Sequence, residues 1–213
     1  MQLKNIKSVR NLRGKRILLR LTLNVPIENG VIKNDFRLKR ILPTLKFFRA
    51  SGAKTIVISH LGQDGKESLK PIVIYLNKLI PVGFIPDTSH ETRESVLSDM
   101  KNGDIITVEN IRRYKGEMTN SKALSKDLAS QADIFVNDDF AVSHREHASV
   151  VGVPNFLPSY MGPLMIDEIK NLSKTNSARK PFIAVVAGAK FSTKIPLVNK
   201  FLRNADKIFI SGA

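Results

Sequence analysis

The chain has 213 residues, 42% of them hydrophobic, and no cysteine, so it can bury a sizeable core but can build neither a disulfide framework nor a thiolate metal site. Lysine and arginine total 34 against 19 aspartate and glutamate, a formal net charge of +15 that favours anionic partners without choosing among phosphorylated metabolites, nucleic acid and acidic surfaces. The opening MQLKNIKSVRNLRGK lacks an apolar core of signal-peptide length, and no run of about 18 apolar residues follows, so a soluble cytoplasmic protein is expected.

Strand-like apolar runs and helical patterns then alternate. RILLRLTL (16–23) reads as a strand, FRLKRILPTLKFFRAS (36–51) as a helix that Pro43 is expected to kink, and KTIVISH (54–60) as a strand. ESLKPIVIYLNKLI (67–80) is helical with Pro71 near its start, VGFIP (82–86) is a strand, and ETRESVLSDMKN (91–102) is a helix. DIITVEN (104–110), NSKALSKDLASQA (120–132) and DIFVNDDFAV (133–142) repeat the strand, helix, strand order. GPLMIDEIKNLSK (162–174) is helical, and the polar KTNSARKP (174–181) reads as an interdomain connection. PFIAVVAGA (181–189), TKIPLVNKFLRN (193–204) with Pro196 near its start, and KIFISGA (207–213) complete the chain. Several strands are apolar almost throughout, as strands buried on both faces must be, so the class is α/β with a mostly parallel, helix-covered sheet.

The residues after these strands are polar in a consistent way. Asn24 follows LLRLTL, His60 and Gly62 follow TIVIS, Arg112 follows IITVEN, and Asp138, His144 and Arg145 follow IFVN. Ligands of open α/β sheets bind outside the carboxyl ends of the strands, so these distant residues are expected to converge there. Arg37, Arg112 and Arg145 each offer a planar, permanently charged fork, and His60 and His144 add donors. Such a set suits a small polyanion carrying carboxylate and phosphate groups.

Each residue also has a plainer reading. Arg112 or Arg145 taken singly reads as a surface or capping residue, and only recurrence at strand ends turns them toward a site. His144 and His147 beside Asp138 and Asp139 lack the helix-spaced HExxH pattern, so no metal site is expected. The acids of NDD have two readings, orienting neighbouring backbone and arginines or touching a ligand, and both stay open. His90 reads as a loop or helix-cap residue, and KSVRNLRGKR as solvated surface. Three tyrosines, no tryptophan and no recognised motif argue against nucleic acid despite the charge.

Taken in order, LRLTLNVP, NDFRLKRILPTL, GAKTIVISHLG, SLKP, VENIRRYKGE, ADIFVNDDFAVSHREHAS, VGVPNFLPSYMGPLM and PFIAVVAGAKFSTKI resemble phosphoglycerate kinase from end to end. The resemblance implies a Rossmann-like three-layer parallel sheet with helices on both faces, plus an incomplete start of a second α/β domain. It divides the chain into a glycerate-binding domain at 1–160, a connecting helix and linker at 161–180, and the start of a nucleotide-binding domain at 181–213. It implies reversible phosphoryl transfer between Mg-ATP and 3-phosphoglycerate, giving ADP and 1,3-bisphosphoglycerate, as in glycolysis and gluconeogenesis, by a protein of a usually monomeric family. By position, Arg37 would act on the transferring phosphoryl group. Thr22, Asn24, His60, Gln63, Arg112 and Arg145 would contact the glycerate substrate, and Lys190 and Lys194 the nucleotide phosphates. Phosphoryl transfer is mainly positioning plus cationic stabilisation, so an arginine-rich set is chemically apt.

The chain also departs from that pattern. Thr22 stands where the family has an aspartate, Gln63 where it has an arginine, and Ala187 where it has a glycine, while RRYKGE lacks the usual aromatic and histidine. Neutral Thr22 and Gln63 cannot form the ion pairs of the residues they replace. KIFISGA resembles a strand leading into the remainder of the nucleotide domain, so the 213-residue chain is expected to be inactive alone. Alternatives are a non-catalytic anion-binding relative and a basic nucleic-acid-binding protein.

Overall fold

Arg16–Arg20, the run that reads RILLR, forms strand β1, and the rest of the first unit is built outward from it. In this computed structural model, which describes residues 4–86, 89–188 and 194–212, the chain divides into two units, Met1–Ile166 and Asp167–Ala213. The first unit contains β1, β2 (Ile27–Glu28), β3 (Val31–Ile32), α1 (Phe36–Ala50), β4 (Lys54–Ile58), α2 (Lys70–Asn77), β5 (Gly83–Ile85), α3 (His90–Ser98), β6 (Ile105–Val108), α4 (Lys122–Ser130), β7 (Ile134–Asn137) and β8 (Ser159–Met161). The unit boundary falls inside α5 (Pro163–Ser173).

Six strands form one sheet in the order β5-β6-β4-β1-β7-β8, every neighbouring pair parallel. Successive residues of a strand point to opposite faces, so a central strand covered by helices must be apolar at every position. Between its terminal arginines β1 meets that demand: Ile17 and Leu19 enter one core with Leu38, Ile41, Leu45 and Phe48 of α1 and Ile72 and Leu76 of α2. Leu18 enters the other, with Leu97 of α3 and Leu124 and Leu128 of α4. The result is the expected three-layer α/β fold.

Local signals account for the helix ends. Ser89 and Ser121 accept hydrogen bonds from the backbone N–H groups of Thr92 and Leu124, capping α3 and α4. Pro71 lies in the first turn of α2, where a missing N–H goes unneeded. α1 runs from Phe36 to Ala50 with the exposed Pro43 inside it. The antiparallel β2–β3 hairpin and the edge strand β8 were not legible in the sequence, being only two or three residues long. Strand β7 stops at Asn137, earlier than its apolar run, and a 3-10 turn covers Phe140–Val142.

The second unit pairs β9 (Ile183–Ala187) in parallel with β10 (Lys207–Ser211), and α6 (Ile195–Phe201) lies between them in sequence. Asp206 accepts from the Phe182 N–H at 2.7 Å and pairs with Lys180 at 3.0 Å, while Phe182 packs edge-on against Phe201. No helix among the described residues is long and apolar enough to cross a membrane.

Candidate functional site

The chain leaves β1 toward β4 on one side of the sheet and later returns to place β7 on the other. A crevice therefore opens outside the carboxyl ends of β1, β4 and β7, where the connections diverge. Asn24 follows β1, His60 and Gln63 follow β4, Arg112 follows β6, and Arg145 follows β7, so these sequence-predicted residues all leave the same edge.

Backbone carbonyls tie them together. Arg37, an exposed residue in the first turn of α1, donates from Nη1 to the Asn24 carbonyl at 2.7 Å. The Asn24 side chain accepts from the Gly62 N–H at 3.2 Å, and the Gly62 carbonyl accepts from Arg112 Nη1. Gly62 has φ +67°, a left-handed backbone that glycine adopts without strain, and the exposed Glu67 carboxylate lies where a Cβ would project. Gln63 is exposed, and its carbonyl also accepts from Arg112 Nη1, at 3.2 Å. A cavity of about 540 Å³ is lined by Asn24, Val25, Arg37, Leu61, Gly62 and Glu67, among others. Thr22 is half-buried and makes no side-chain hydrogen bond among the described residues.

Beneath this layer lies a charged group that sequence reading passed over. Arg20, the last residue of β1, is 1% exposed and donates to the Ser149 hydroxyl at 3.2 Å and the Leu21 carbonyl at 2.9 Å. Its Nη2 lies 3.0 Å from His60 Nδ1, and its Nη1 lies 3.1 Å from Asp139 Oδ2. The Asp139 contact is Coulombic, since neither carboxylate oxygen has a hydrogen bond. Glu117, also buried, accepts from the Ser149 hydroxyl at 2.6 Å and N–H at 3.0 Å, and faces His147 at 3.7 Å. The available signal for Arg20 was an arginine inside an otherwise apolar strand, which is tolerated only when the charge is matched.

The field of this cluster is strongly positive. Burial, followed by the charges of Arg20, Arg112 and Arg145, lowers the His60 pKa to about 3. Burial and then Arg112, Arg145 and Arg20 lower that of His147. Burial raises Asp139 and Glu117, against the opposing pull of Arg20. The Nε donors of both Arg112 and Arg145 are buried without an acceptor. Exposed His144 lies close enough to His147 to influence its charge.

The two acids of NDD separate in role. Asp138 turns away to accept from Thr44 Oγ1 at 2.6 Å and from the Met165 N–H at 2.8 Å, joining α1 to α5. Burial outweighs those bonds and raises its pKa to about 6. An acid whose folded value exceeds its unfolded one favours folding while protonated; that contribution is complete below about pH 4 and lost as pH rises through about 6. Asp138→Asn is therefore expected to remove a decline of about 3 kcal/mol in stability between about pH 4 and pH 7, measured by urea unfolding of both proteins across that range. Parallel stability profiles would contradict this assignment.

In the second unit Gly188 follows β9 with φ +122°, and a Cβ there would lie 2.9 Å from Lys194 Nζ. Gly212, after β10, approaches the Gly188 backbone, so a small cradle closes at the carboxyl ends of both strands. Lys190, the other lysine expected to meet nucleotide phosphates, lies outside the described residues. Among the described residues no cluster of three or more His, Asp and Glu could hold a metal ion.

Comparison with known proteins bears on what this cleft belongs to. The family model for phosphoglycerate kinase matches residues 6–213. Phosphoglycerate kinase of Fervidobacterium nodosum is 42% identical over 95% of this chain and 53% of its own length. That of Wolbachia from Drosophila simulans is 43% identical over 98% of this chain and 55% of its own. The structure of phosphoglycerate kinase from Coxiella burnetii aligns with a TM-score of 0.84 at 37% identity, covering 98% of this chain and 54% of that one. The Pyrococcus horikoshii structure aligns with a TM-score of 0.90 at 30% identity, covering 99% and 55%. The chain thus spans about half the length of the curated relatives it matches. On a family match running from residue 6 to residue 213, this chain belongs to the phosphoglycerate kinase family.

Proposed function

We propose that the cleft at the carboxyl ends of β1, β4, β6 and β7 holds 3-phosphoglycerate, or 1,3-bisphosphoglycerate in the reverse direction. The observation that carries this reading is the pair of buried guanidinium Nε donors, on Arg112 and Arg145, that lack acceptors. Buried donors are ordinarily satisfied, and an anion with phosphate and carboxylate oxygens would satisfy these. Asn24, His60, Thr22 and Gln63 would supply neutral contacts, while Arg37, at the exposed margin of the cavity, would act on the transferring phosphoryl group. The whole protein's proposed activity is the family's phosphoryl transfer between ATP and 3-phosphoglycerate, in the cytoplasm and within glycolysis or gluconeogenesis. Residues 1–160 would serve as the glycerate domain, 161–180 as the connection and 181–213 as part of the nucleotide domain.

The cradle of Gly188 and Lys194 fits a phosphate of a Mg-nucleotide, since glycine leaves the space a Cβ would fill and the ammonium lies beside it. Bound there, the Mg-nucleotide would supply the phosphoryl group; Lys194, together with Lys190, would hold its phosphates. Transfer also requires the nucleoside to be held, and the second unit's short sheet leaves Ile183, Val185, Phe209 and Ile210 exposed. The 213-residue chain assayed by itself is accordingly proposed to bind 3-phosphoglycerate weakly without turning it over. A second reading, anion binding without catalysis even in a longer protein, is favoured by neutral Thr22 and Gln63.

Calorimetric titration with 3-phosphoglycerate at low salt, run beside a coupled assay containing ATP and Mg, tests the proposal. Saturable binding with background turnover is expected. No binding would overturn the cleft assignment, and robust turnover would overturn the inactivity of the isolated chain.

A further inference from the structure

We propose that Arg20 is a positioning residue for His60, fixing its imidazole as the Nε2–H tautomer so that an anion in the cleft meets an uncharged hydrogen-bond donor. This rests on the anion-cleft reading for its ligand, though not for its geometry. Arginine carries only donors and keeps its charge, so the 3.0 Å contact between Arg20 Nη2 and His60 Nδ1 has one polarity: the guanidinium donates and Nδ1 accepts. The ring proton must then sit on Nε2, at the opposite edge of the ring, where no partner is found among the described residues.

The guanidinium cannot easily turn away. Its Nε bonds Ser149, its Nη1 bonds the Leu21 carbonyl and reaches Ser59 Oγ at 3.4 Å, and Asp139 balances its charge from 3.1 Å. Asp139 is fully buried just after β7, the strand paired with β1, and so holds its counter-ion from the neighbouring strand end. The charged and titratable groups acting on His60 are Arg20 from β1, Arg112 from the segment after β6, and Arg145 and His147 from the segment after β7. The buried acids nearby, Asp139 and Glu117, are engaged with Arg20 and with Ser149 and His147, so a second proton on the ring would meet net repulsion from the arginines. His60 consequently offers direction without charge, and the arginines supply the charge.

Long-range proton–nitrogen NMR of the 213-residue chain, with His60 assigned, tests this directly. At neutral pH His60 is expected to show Nδ1 as the unprotonated, acceptor-type nitrogen and Nε2 as the protonated one, with no protonation step between about pH 8 and pH 5, below its ordinary value. A protonated Nδ1, or a step near the ordinary histidine value, would overturn the inference. Arg20→Met, where amide dispersion shows it folded, is expected to mix the tautomers and weaken 3-phosphoglycerate about tenfold, through loss of one well-directed hydrogen bond. An unchanged tautomer in that folded variant would also overturn it, and if the variant does not fold the wild-type spectrum decides alone. The expected tautomer without any 3-phosphoglycerate binding would spare the inference and defeat the ligand assignment. Binding to a chain whose His60 carries its proton on Nδ1 would do the reverse.

Discussion

Replacing Arg20 by methionine is expected to destabilise the first unit by about 3–5 kcal/mol, seen as a lower urea midpoint at neutral pH. The side chain is 1% exposed and stands opposite a fully buried Asp139, whose oxygens have no hydrogen bond to fall back on. Removing one member of a buried pair strands the other, which is far worse than removing both. The double variant Arg20→Met, Asp139→Leu should therefore recover most of the loss. The deficit of the single variant should also shrink at acid pH, because burial already raises Asp139 and its protonation relieves the unmatched charge. Equal stability of the single variant and the parent would mean that the pair is solvated and unimportant.

The second large effect belongs to ligand binding. Arg37→Ala combined with Arg145→Ala is expected to weaken 3-phosphoglycerate by at least about 100-fold in calorimetry, since a charge-assisted hydrogen bond contributes roughly 1.5–3 kcal/mol and two are lost together. Stability should change little, because Arg37 is exposed and Arg145 only half-buried. That separation matters: Arg112 is built into the fold through the Gly62 and Gln63 carbonyls, so its removal would confuse binding with structure. Raising the salt should weaken the parent only modestly, whereas binding that spans many phosphates, as with nucleic acid, would fall steeply. Unchanged affinity in the double variant would return both arginines to the surface.

Much of the fold was legible because parallel, doubly covered strands are apolar through their middles without alternation, as Ile17–Leu19 of β1, Ile56–Ile58 of β4 and Ile134–Val136 of β7 are. The margin of the site was legible for the same reason, since Asn24, His60 and Arg112 closely follow apolar runs and Arg145 lies in the polar segment after β7. What lay beneath was not. Arg20 falls inside its strand, and nothing local announces that Asp139, 119 residues later, will neutralise it; the pairing is made by β1 lying against β7. Asp138 and Asp139 are adjacent in sequence yet diverge, one toward α1 and α5 and the other toward Arg20, because alternate residues leaving a strand face opposite ways. The hairpin of β2 and β3 is too short for alternation to be read.

The most direct test of the cleft is to titrate the isotope-labelled 213-residue chain with 3-phosphoglycerate and follow every assigned amide by NMR. Saturable shifts are expected, grouped at the ends of β1, β4, β6 and β7, from Leu21 to Asn24, Ser59 to Gln63, Asn110 to Arg113 and Asp138 to His147, with one common affinity. Shifts spread without saturation over lysine-rich surfaces such as Lys7 to Arg16, with those four segments unmoved, would contradict the cleft assignment.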